Sequence, residues 1–62
     1  MIEELLKEIR RVSEALLTDG MLQNERGNKA AGCRARKASL ELERLIKAFR
    51  KASLETDKEK KQ

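Results

Sequence analysis

The sequence predicts an all-α fold: an antiparallel hairpin of two long helices, paired with a second copy into a homodimeric four-helix bundle. Three observations lead there. Apolar residues recur every three or four positions through both halves of the chain, and a Gly27-Asn28 pair divides the halves almost evenly. The composition also lacks the bulk of a globular core, since 42% of the 62 residues are charged and there is no Pro, Trp, Tyr or His and one Phe. Chains this short bury too little apolar surface to be comfortably stable alone. One cysteine allows no intrachain disulfide, and without histidine there is no Cys/His zinc set. Self-association as a homodimer or higher homo-oligomer is the remedy left.

In the first half, Ile2, Leu5, Ile9, Val12 and Leu16 follow the three-then-four spacing of a helical a/d seam, and Leu6 and Leu17 are expected to widen it. Glu4, Lys7, Glu8 and Arg11 add ion-pair support at helical spacing. Thr18-Asp19-Gly20 carries a weaker stop signal, and the sequence leaves open whether the first helix runs without irregularity through 18–20. The stronger break is at Gly27-Asn28, where Gly ends one helix and Asn caps the next. The expected organisation is helix over 1–25, turn over 26–28, a basic helix over 29–55 and a charged, flexible tail over 56–62.

In the second half, seven residues advance a helix by about 10.5 Å, so a heptad recurrence keeps the same faces in view. Writing Ala31, Ala38, Leu45 and Ala52 as d makes Ala35, Leu42 and Phe49 a. Lys29, Arg36 and Arg50 then occupy b, Lys37, Arg44 and Lys51 occupy c, and Lys47 occupies f, all away from the seam. Of the net charge of +4, residues 28–54 contribute eight cations (Lys29, Arg34, Arg36, Lys37, Arg44, Lys47, Arg50, Lys51) against Glu41 and Glu43. The basic character therefore belongs to one helix, and its eight cations are the candidate nucleic-acid-binding residues. The predicted oligomer seam comprises Ile2, Leu5, Ile9, Val12, Leu16, Ala35, Ala38, Leu42, Leu45 and Phe49.

The string Gly27-Asn28-Lys29-Ala30-Ala31-Gly32-Cys33-Arg34-Ala35-Arg36-Lys37-Ala38-Ser39 continues through Glu41-Leu42-Glu43 to Phe49-Arg50-Lys51-Ala52-Ser53. It resembles the chlamydial histone-like nucleoprotein family and its short bacterial relatives over about residues 25–56. The resemblance implies a bacterial or phage protein that binds and compacts DNA, with Lys29, Arg34, Arg36, Arg50 and Lys51 as basic positions. The long Lys- and Ala-rich tail of the chlamydial members is not matched by Lys58-Glu59-Lys60-Lys61-Gln62.

A row of Lys and Arg at heptad spacing can neutralise phosphates whatever the base sequence. No aromatic platform suits single strands, because Phe49 sits in the seam. Helix-turn-helix and zinc-finger spacings are missing as well. The expected partner is double-stranded DNA, bound non-specifically by a nucleoid-associated cytoplasmic protein. No enzyme activity, cofactor, metal or small-molecule substrate is expected: Ser13, Ser39 and Ser53 have no accompanying base, and Glu41 and Glu43 point to different helix faces. Cys33 falls at f and reads as an exposed thiol. No apolar run approaches the roughly 20 residues of a membrane span. Two rival readings are a helical-hairpin adaptor that binds a partner protein through its seam, without nucleic acid, and membrane-surface association of the basic helix.

Overall fold

The computed structural model describes residues 1–59. Two helices, α1 (Ile2–Arg26) and α2 (Lys29–Glu59), fold back on each other as a hairpin 51 Å long and 14 Å in each other dimension. Helix follows from the chain itself: neither element contains Pro, and Leu, Glu, Lys, Arg and Ala fill most positions. α1 is continuous through Gly20, which answers the point that the Thr18-Asp19-Gly20 signal left open. A lone glycine costs a helix about 1 kcal/mol relative to Ala, and the regular turns on either side carry it.

The turn is Gly27-Asn28. Gly27 adopts the left-handed conformation (φ 63°), which glycine reaches without a Cβ penalty, and its N–H donates to the Gln23 carbonyl at 2.9 Å. Asn28 then caps α2: the Ala31 N–H donates to Asn28 Oδ1 at 3.0 Å. α2 runs to Glu59, past the end expected at 55. Thr56, Asp57 and Lys58 contain no breaker, and Lys58 in the last turn complements the carbonyl end of the helix. The flexible tail predicted from 56 is therefore helical to 59, and its last three residues lie outside the described ones.

The seam is thin. Its buried apolar side chains are Val12, Ala31, Ala35, Leu45 and Ala52, while Ile2, Leu5, Ile9, Leu16, Ala38, Leu42 and Phe49 are half-buried. All the residues predicted for the seam thus lie between the two helices of one chain. Leu6 and Leu17 do not widen it, being 50% and 66% exposed. One facing helix covers only a narrow stripe, and their positions stand beside that stripe.

Two ion-paired contacts cross between the helices. Arg34 donates to both carboxylate oxygens of Asp19, from Nη2 at 3.1 Å and from Nε at 3.3 Å. Arg11 bridges Glu8 at 2.7 Å and reaches Glu41 of α2 at 3.8 Å. Near the turn, the Gln23 side chain lies over Gly32: a Cβ added there would fall 2.6 Å from the Gln23 amide group. Gly32 thereby admits a close approach that Ala would push aside.

Candidate nucleic-acid interface

Because α2 keeps its seam toward α1 over its whole length, positions b, c and f of its heptads form the outer side of the rod. Lys29, Arg36, Lys37, Arg44, Lys47, Arg50 and Lys51 all stand there and all are exposed. The c row places Lys37, Arg44 and Lys51 about 10.5 Å apart along the axis. Lys58 continues that row, is exposed, and was missed by the sequence reading, which assigned it to a tail. The unbroken seven-residue step from Lys51 was the signal that could have found it.

Arg34 differs from the other candidates. It occupies g beside the seam, and its guanidinium is engaged with Asp19, whose side chain keeps only 15% of its exposure. Arg34 therefore ties α2 to α1, and its fork is turned across the seam. Arg44 makes a loose contact with Glu41 at 3.9 Å and stays 73% exposed, so its charge still faces solvent. Among the described residues, Lys29, Arg36, Lys37, Lys47, Arg50 and Lys51 form no ion pair with a carboxylate.

The electrostatics separate along the same lines. Arg11 is held above its ordinary pKa, first by its hydrogen bond to Glu8, then by the Glu8 charge and the more distant Glu41. It remains a fixed cation within a neutralised cluster. The outer side of α2 has two acids, both in the b row: Glu43 between Arg36 and Arg50, and Asp57 beyond Arg50. Ser39 donates its hydroxyl to the Arg36 carbonyl at 2.7 Å, a local helix contact with no base beside it. Exposed Leu40 and Leu54 share the f row with Cys33 and Lys47.

Chemically, this face can supply six to eight point charges along the outer side of the rod. No group of three or more potential metal ligands occurs among the described residues, and no described helix is long and apolar enough to cross a membrane. The family model described as "Histone H1-like protein Hc1" matches residues 3–59, spanning both helices and the turn. No curated protein and no solved structure matches the chain.

Proposed function

We propose that this chain, which belongs to the histone H1-like Hc1 family, is a nucleoid-associated protein that binds double-stranded DNA through the outer face of α2 and helps organise or compact it. The observation that carries this reading is the exposed cation row without carboxylate partners. Lys and Arg spaced along a rod release counterions from phosphates and read no base edges. The family is one of histone-like structural proteins, and the hollow near the chain ends, lined by Met1, Leu5, Ala48, Lys51, Ala52 and Glu55, is open to solvent and mostly apolar. The thin core also favours a second copy, giving a homodimeric four-helix assembly.

Titration of duplex DNA at two salt concentrations tests the proposal. With six phosphates neutralised, affinity should fall about a thousandfold between 50 and 200 mM salt. AT-rich and GC-rich duplexes of equal length should bind alike. Absence of binding at the lower salt, or an affinity that ignores salt, overturns it.

A further inference from the structure

The charge of α2 repeats with a longer step than its seam. Arg36-Lys37-Ala38-Ser39-Leu40-Glu41 recurs residue for residue as Arg50-Lys51-Ala52-Ser53-Leu54-Glu55, fourteen positions later. Fourteen positions are two heptads, so both copies present their b and c residues on the outer side of the rod, about 21 Å apart along the axis. Each copy sets an Arg beside a Lys.

Between the copies the b and c pair is Glu43-Arg44, and beyond the second copy it is Asp57-Lys58, so these levels carry no net charge. The outer face therefore concentrates its charge in two cationic doublets with a neutral level between them. Arg36, Lys37, Arg50 and Lys51 are all exposed, and among the described residues none of them pairs with a carboxylate. Arg44, by contrast, shares its level with Glu43 and lies 3.9 Å from Glu41.

That spacing has a counterpart in B-form DNA. A line drawn along the outside of the duplex crosses both sugar-phosphate backbones once in each turn of about 34 Å. The two crossings divide the turn unequally, because the major groove is about 12 Å wide and the minor groove about 6 Å. With about 6 Å allowed for each backbone itself, the wider interval comes to roughly 20 Å.

We propose that α2 lies along the duplex axis over a major groove, with Arg36 and Lys37 on the backbone of one strand and Arg50 and Lys51 on the backbone of the other. The proposal rests on the DNA-binding reading above and gives it a two-point geometry. Arg44 and Lys47 then stand over the mouth of the groove, and Glu43 is accommodated in the same face because its level meets no phosphate. A helix that crosses the groove from rim to rim touches backbones alone and reads no sequence.

A rearrangement that conserves charge tests this. Glu43→Arg combined with Arg50→Ala and Lys51→Ala keeps the net charge of +4 and keeps two doublets, but brings them to about 10.5 Å from each other. On a duplex of about 20 base pairs at 50 mM salt, its dissociation constant should exceed that of the wild type at least tenfold, with helicity unchanged by circular dichroism. Two variants of equal charge loss compare the levels directly. Arg36→Ala with Lys37→Ala should lower the salt slope by about 1.8, and Arg44→Ala with Lys47→Ala by less than half as much. A wild type that leaves the duplex unbound at 50 mM salt overturns the DNA-binding reading and the two-point geometry together. If the wild type binds, an equally tight rearranged protein, or equal slope losses from the two double variants, overturns the geometry alone.

Discussion

Around the outer side of α1, Glu3, Glu4, Glu14 and Glu25 are interspersed with Lys7, Arg10 and Arg11, and neighbouring charges largely cancel. Around the outer side of α2, Lys29, Arg36, Lys37, Arg44, Lys47, Arg50 and Lys51 are opposed by Glu43 and Asp57. Both helices show the same seam spacing and similar length, so the difference has no part in making the hairpin. Apolar spacing decides that the helices pair, and the residues left outside decide what the pair attracts. The family membership over residues 3–59 covers both layers.

Reversing charge on α2 should break this contrast most completely. Lys37, Lys47 and Lys51 changed together to Glu remove three phosphate contacts and add three repulsions, and duplex binding at 50 mM salt should disappear. Circular dichroism should show unchanged helicity, since these side chains are exposed on the outer side of α2. The same exchange at Lys7 and Arg10 of α1 should leave affinity within a few-fold. Equal losses from both helices would mean that net charge, rather than one face, attracts DNA.

The seam can be tested next. Leu45 is 7% exposed in the middle of α2, and Leu45→Ala should cost about 2–5 kcal/mol in chemical denaturation. Leu40→Ala, on the outer side of the same helix, should cost little, because Leu40 is 67% exposed. A smaller loss is expected at the turn. Asn28→Ala removes the acceptor of the Ala31 N–H and should cost about 0.5–2 kcal/mol, with helicity at the start of α2 falling first.

Much of this was legible in the residues because it is local. A three-then-four apolar step, a Gly-Asn break and a heptad of cations each involve neighbours within a turn or two of helix. What escaped reading depends on partners distant in sequence. Arg34 looks like every other cation of α2 until the fold brings Asp19, fifteen residues earlier, to its fork. Leu6 and Leu17 look like seam residues until the width of a single covering helix is known. The end of α2 was set too early because a balanced charge run resembles a tail, although nothing in Thr56-Asp57-Lys58 stops a helix.

Arg34 and Lys37 give the finest comparison, two cations three residues apart with different neighbours. Lys37 stands at c without a carboxylate partner among the described residues, while Arg34 at g is held by Asp19 at 3.1 Å. Neutralising a lysine that meets phosphate should reduce the salt slope of binding by about 0.9, the share of one phosphate. Lys37→Ala should do so and leave stability alone. Arg34→Ala should barely move the slope, because that guanidinium is already committed within the hairpin, and should instead lower stability modestly by leaving the part-buried Asp19 carboxylate unpaired. Salt-series DNA titrations and urea melts of the two variants read both quantities. If Arg34→Ala lowers the slope as much as Lys37→Ala does, Arg34 exchanges Asp19 for a phosphate on binding, and the boundary between the structural flank and the DNA face moves to include it.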